Sequence, residues 1–189
     1  LLGLDSFTID LSGRSTRGKT TAAKIGLSLW ADPSERGDGM FSWRATMLAI
    51  EKRLNIVRGL PVVIDETRVV KYDELVDQVL YQVPKNHGQA RGAGWPSLLP
   101  WSTIVISTGE QSALSFTTHQ GAAARVLTLT RPPFGTGGAD NAQVAIAVGR
   151  AIDEHYGLAG PVFIERLQAA LADPQRPACT PDRLCPPER

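Results

Sequence analysis

Eight residues constrain this chain more than any others. Gly13-Arg14-Ser15-Thr16-Arg17-Gly18-Lys19-Thr20 has the spacing G-x-x-x-x-G-K-[ST]. Residue frequencies put its accidental occurrence in a chain of 189 residues on the order of 1%. Its setting is also specific. Phe7-Thr8-Ile9-Asp10-Leu11 alternates apolar and polar residues and predicts a strand. Thr21 to Trp30 carries helix formers and predicts a helix that begins near Gly18 and stops at Ala31-Asp32-Pro33. In a strand–loop–helix of this kind, glycines let backbone N–H groups surround a phosphate, and the helix N-terminus adds its positive dipole end. Gly13, Arg14, Ser15, Thr16, Arg17, Gly18, Lys19, Thr20 and Thr21 are therefore the candidate nucleotide-binding residues. The Lys19 ammonium would bridge β- and γ-phosphates, and the Thr20 hydroxyl would ligate Mg²⁺, which prefers oxygen donors. The plainer reading is a glycine-rich turn with a surface lysine.

The rest of the chain alternates strands and helices. Met40-Phe41 reads as a short strand. Trp43, Met47, Ile50, Leu54 and Val57 lie on one helical face, with Gly59 as a left-handed cap. Leu60 to Ile64 is a continuous apolar run, the mark of a strand buried on both faces, with Pro61 at its entrance. Leu75 to Val83 fits a helix, Thr103 to Ile106 and Val126 to Leu129 fit strands, and Asn141 to Tyr156 fits a helix. Pro161 to Ala172 fits a last helix, with Pro161 at its first position. This order predicts an α/β domain with a mainly parallel sheet flanked by helices. Five of the 13 prolines lie from Pro174 onward, so residues 1–173 read as the domain and 174–189 as a mobile tail.

Ile64-Asp65-Glu66 ends the apolar run. Carboxylates at the C-terminal end of a parallel strand face the ligand crevice. Asp65 would hold Mg²⁺ through a water, and Glu66 would polarise the attacking water. A solvated loop is the alternative. Thr103 to Ile106 runs into Ser107-Thr108-Gly109-Glu110, where Thr108 or Ser107 could touch a γ-phosphate or its attacking water. Arg125 follows Gly121-Ala122-Ala123-Ala124, and these small neighbours leave its guanidinium free to act as an arginine finger on a neighbouring subunit's nucleotide. A plain salt bridge is the competing role. From Gln78 to Gly109 there is no acidic residue, and Lys85, His87 and Arg91 in that stretch are candidate nucleic-acid-binding residues, Lys85 and Arg91 for phosphates and His87 as a ligand or base, with an ordinary solvated loop as the alternative. Trp95 and Trp101 are candidates for stacking on bases or for packing.

Composition narrows the class. Lys and Arg number 20 against 19 Asp and Glu, so nucleic acid could be held only by a local patch, not by bulk charge. No run of eighteen apolar residues occurs, which predicts no membrane span. Two cysteines, Cys179 and Cys185, are too few for a disulfide scaffold and read as a reducing, cytoplasmic setting. The start at Leu1 rather than Met reads as a piece cut from something longer.

Several segments in order carry a resemblance. They are Ser12 to Thr21, Ser42-Trp43-Arg44-Ala45-Thr46, Pro61 to Glu66, Ile106 to Glu110 and His155 to Pro161. Together they resemble an uncharacterised helicase-like ATPase domain of phage, plasmid and integrated-element replication proteins, which is similar to superfamily 3 helicases and the wider AAA+ group. The resemblance spans roughly residues 5 to 172. It implies a P-loop NTPase fold in which the acidic strand is separated from the first strand by an intervening one. It implies ATP and Mg²⁺ as ligands, single-stranded or forked DNA as partner, and a homo-oligomeric ring with a hexamer favoured. It also implies a finger or sensor role near Arg125 and a DNA-gripping hairpin at the loop holding Lys85 and Arg91. Arg14 and Arg17 depart from it, standing where relatives mostly show smaller or neutral residues. The expectation is a Mg²⁺-dependent ATPase driving a helicase or translocase. A regulatory or defence ATPase without motor activity is the alternative, and a small-molecule kinase the third.

Overall fold

The computed structural model describes residues 5–67, 73–88, 100–117, 120–136 and 138–172. Five strands form one sheet: β1 (Phe7–Ser12), β2 (Met40–Ser42), β3 (Val62–Asp65), β4 (Ile104–Gly109) and β5 (Val126–Leu129). Their order is β2-β3-β4-β1-β5, and every pairing is parallel. The acidic strand β3 is thus separated from β1 by β4, as the resemblance implied. The helices are α1 (Lys19–Ser28), α2 (Met47–Val57), α3 (Asp73–Gln82), α4 (Gln120–Ala123), α5 (Gly138–Glu154) and α6 (Ala159–Ala172). Short 3₁₀ turns lie at Val83–Lys85 and Ala113–Phe116.

Two apolar clusters cover the two faces of the sheet. On one, Leu11, Ala23, Leu27, Met40 and Val63 bury α1. On the other, α2 and α3 bring Ile50, Leu54, Val76, Val79 and Leu80 onto Phe41, Ile64 and Val105. Val62, Val63 and Ile64 are each fully buried, as a continuous apolar strand run requires. The alternation in β1 has a different basis from the half-buried strand it normally marks. β1 pairs on both sides, and its polar residues Thr8, Asp10 and Ser12 are buried while Phe7 and Ile9 are only partly so.

Several boundaries differ from expectation. Trp43 precedes α2 rather than belonging to it. Its N–H donates to Asp65 O at 3.2 Å, continuing the pairing of β2 with β3, and Thr46 caps the helix by accepting from Ala49 N. The left-handed residue after α2 is Arg58 (φ 50°), not Gly59. The chain reverses one residue early because the Arg58 carbonyl accepts from Ser102 N, at the approach to β4. Helix α6 starts at Ala159, so Pro161 is its third residue, still within the first turn where a missing N–H costs nothing. Trp101 is a packing anchor and not a stacking platform: it is 2% exposed and its indole N–H donates to Val83 O at 3.0 Å. Trp95, Arg91 and the tail with Cys179 and Cys185 lie outside the described residues. Among the described residues no helix is long and apolar enough to cross a membrane.

Candidate functional site

In an all-parallel sheet the loops at the C-terminal ends of the strands share one edge. Here that edge gathers the segment 13–18 after β1, Asp65 and Glu66 at the end of β3, and Thr108 to Glu110 at the end of β4. Together they line a cleft of about 370 Å³ that includes Ser15 to Thr21, Asp65, Glu66, Thr108, Gly109 and Glu110. The residues singled out from two separate motifs therefore face one space.

The loop is shaped by backbone geometry. Gly13, Thr16 and Gly18 all have positive φ, at 138°, 56° and 77°. Gly13 N donates to Gly109 O at 3.1 Å, tying the loop's start to the end of β4. Gly18 caps α1 without a side-chain hydrogen bond, and a Cβ there would lie 2.5 Å from Phe134 Cδ2. Glycine is thus required twice over at that position, by conformation and by contact. The Lys19 ammonium donates to Gly13 O at 2.8 Å and Arg14 O at 2.7 Å, folding over the loop.

Asp65 joins the loop to β4. Its Oδ1 accepts from Thr20 Oγ1 at 3.0 Å and from Thr108 Oγ1. Thr108 Oγ1 in turn accepts from Glu66 N at 3.2 Å. Glu66 is exposed and left-handed at φ 63°, a conformation unusual for a residue with a Cβ. The two hard oxygens of Thr20 and Asp65 suit Mg²⁺, which takes one or two protein oxygens and completes its shell with phosphate and water. Among the described residues no group of three or more His, Cys, Asp or Glu forms a self-sufficient metal cage.

Three candidates lie elsewhere. The Arg125 carbonyl accepts from Thr8 N at 3.0 Å, at the N-terminal edge of the sheet, and its exposed guanidinium donates to Gly121 O at 3.4 Å. Arg125 is therefore at the edge opposite the cleft and does not line it. Lys85 and His87 follow α3 and share that opposite edge. Asn86 between them accepts from Ser6 N just before β1. The Lys85 ammonium sits 3.9 Å from the Tyr81 ring centroid, and His87 is exposed with Nδ1 3.0 Å from Gly88 O.

Sequence reading missed three features. A second cleft of about 300 Å³ lies on the β5 side of the loop and is lined by Arg14, Arg17, Lys19 and Arg131 with no carboxylate. Phe134 and Asn141 stand over the loop from the segment after β5. Asp10 lies fully buried within β1, its Oδ2 accepting from Ser112 Oγ and Ala113 N, both at 3.0 Å. Burial pushes the Asp10 carboxyl above its ordinary value, against the pull of the hydrogen bonds from Ala113 N and Ser112 Oγ. Its Oδ1 and the hydroxyls of Ser12 and Ser107 complete no hydrogen bond of good geometry among the described residues. An acidic residue inside an alternating apolar strand was the available signal for Asp10, which pairs with Ser107 of β4.

Fold and cleft together define an α/β protein with a five-stranded parallel sheet and a candidate anion site at its C-terminal edge. A family model described as "Domain of unknown function (DUF927)" matches residues 1–94. The chain is similar to a solved structure titled "SCCmec type IV Cch - active helicase", with a TM-score of 0.68 and 27% identity over 86% of this chain. It spans 29% of that longer chain. No curated protein matches the sequence.

Proposed function

We propose that this chain is the ATP-hydrolysing part of a helicase-like motor, serving DNA replication of a phage, plasmid or integrated element. The observation that carries the reading is Asp65. One carboxylate oxygen ties Thr20 of the loop helix to Thr108 of β4, with Glu66 on the same cleft wall. The likeness to a helicase structure supports the motor role.

In this reading the amides of residues 15–20 hold the β-phosphate, and Lys19 exchanges its loop carbonyls for phosphate oxygens. Thr20 and, through a water, Asp65 would hold Mg²⁺, which would supply charge neutralisation to the phosphates when bound. Glu66 orients a water and accepts its proton as the new P–O bond forms. The bond from the γ-phosphorus to the bridging oxygen breaks, leaving ADP and inorganic phosphate. Thr108 holds Asp65 and the Glu66 backbone in register, so a change at the γ-phosphate reaches β4 through it. Arg125 serves a neighbour's cleft, because its own lies at the other edge.

The test is ATP turnover by wild type, Lys19→Ala and Glu66→Gln, each with and without single-stranded DNA. Turnover stimulated by DNA is expected for wild type. Both variants should lose it, with nucleotide binding surviving in Glu66→Gln. Folded wild-type protein without turnover under either condition would end the hydrolysis reading. Turnover indifferent to DNA would favour a regulatory ATPase.

A further inference from the structure

Beyond Gly18, on the side away from Asp65, lies a third and smaller cleft of about 100 Å³. Its lining includes Thr16, Arg17, Gly18, Phe134, Asn141 and Ala145. It shares Thr16, Arg17 and Gly18 with the cleft that holds Asp65 and Glu66. The two clefts therefore meet at these three residues, and a ligand whose phosphates rest on the loop can place its far end beside the smaller one. The sheet order fixes the direction. β3 and β4 stand on one side of β1 and β5 on the other, so the acids take one end of such a ligand and the segment after β5 takes the other.

The chemistry of this far end differs from that of the near end. No carboxylate lines it. Phe134 lies half-buried against Gly18, which has no Cβ to hold the ring away. The Asn141 side chain, on the first turn of α5, rests against Gly135, where a Cβ would lie 2.9 Å from Nδ2. It is half-buried and its amide hydrogen-bonds to no described residue. An aromatic ring beside an amide whose donor and acceptor both lack a partner among the described residues suits a flat, neutral heterocycle. The ring supplies a stacking face, and the amide pairs with an edge that carries an amino group next to a ring nitrogen, as adenine's does.

We infer that this cleft is a nucleobase subsite, with Phe134 stacking on an adenine and Asn141 reading its amino edge. The inference rests on the phosphate-loop reading above, and its test separates the two. Affinities of ATP, GTP and inorganic tripolyphosphate are measured by calorimetry for wild type, Phe134→Ala, Phe134→Tyr and Asn141→Ala. Wild type should bind ATP more tightly than tripolyphosphate, which has no base. Phe134→Ala should weaken ATP about tenfold, the size of one lost stacking contact, and leave tripolyphosphate unchanged. Phe134→Tyr should restore ATP affinity. Asn141→Ala should shrink the preference for ATP over GTP. ATP affinity unmoved in both alanine variants would overturn the subsite. Equal losses for ATP and tripolyphosphate in both variants would overturn it too, by showing that these residues only support the loop. Asn141→Ala keeps the question open to refutation should Phe134→Ala not fold. Wild type that binds no tripolyphosphate and no nucleotide would instead refute the phosphate loop itself.

Discussion

A carboxylate that accepts two threonine hydroxyls, one from each side of a cleft, is a joint as well as a candidate metal ligand. Asp65 occupies that position, and Thr108 completes it by accepting from Glu66 N. Thr108→Val keeps the shape and removes the hydroxyl. The Glu66 amide then loses its acceptor and Asp65 one of its two donors. Destabilisation of about 1 kcal/mol is expected in urea titrations, since Glu66 is exposed and water recovers part of the loss. Turnover should fall far more than nucleotide affinity does, and Thr108→Ser should recover most of it. Asp10 supports a second prediction. Burial raises its folded pKa above the ordinary aspartate value, so the folded chain holds more protons than the unfolded one across the interval between the two. This group's contribution to stability is therefore present below that interval and declines as pH rises through it. Asp10→Asn removes the titration, retains an oxygen for Ser112 and Ala113, and offers N–H groups to the orphaned Ser12 and Ser107 hydroxyls. Denaturation profiles should show the variant gaining on wild type as pH rises through the interval. Parallel profiles would mean that Asp10 does not titrate there.

At the level of elements, the last helix is held by its entry rather than by its face. Gly157 N donates to Ser28 O at 2.7 Å and Gly160 N to Leu29 O at 2.8 Å, docking the turn before α6 onto the end of α1. Trp30 meets Phe163 edge-on, with ring centroids 5.7 Å apart. Phe163→Ala should cost about 1 kcal/mol, a fall in Tm of roughly 2–4 °C in a chain this size. Gly160→Ala should cost more, because a Cβ there would sit 2.9 Å from Trp30 Cε3. Gly157 and Gly160 before Pro161 were visible in the sequence, but the α1 end they serve was not, because docking joins segments about 130 residues apart by number only after the sheet has formed. The same limit explains what else was legible. Local pattern sufficed for β3, whose apolar run needs no partner to be read, and for the loop with its fixed spacing. It could not show that β1's polar face is covered by the Ala113 turn, or that Phe134 and Asn141 return to Gly18. It could not show either that Arg58 turns early, since Ser102, which takes its carbonyl, lies 44 residues further on.

For the whole molecule, the two edges of the sheet divide the candidate residues into two sets. The C-terminal edge holds Lys19, Thr20, Asp65, Glu66 and Thr108, while Arg125 with Lys85 and His87 lies at the N-terminal edge. Arg125 is separated from the loop by the length of β5, four residues or about 13 Å of strand, so a guanidinium there cannot serve its own cleft. If it completes a site, the cleft belongs to a neighbouring copy, and the two functions can be placed on different chains. Lys19→Ala and Arg125→Ala should each be inactive alone. Mixed in equal amounts they should regain a measurable fraction of turnover, because an Arg125→Ala cleft with an intact Lys19 can then sit beside a Lys19→Ala neighbour with an intact Arg125. An arginine acting within its own chain allows no such recovery, since neither variant carries a complete site. Sedimentation of the mixture separates the remaining cases. Assembly with recovery assigns Arg125 to the neighbour, whereas assembly without recovery leaves it the structural role that its bond to Gly121 already describes.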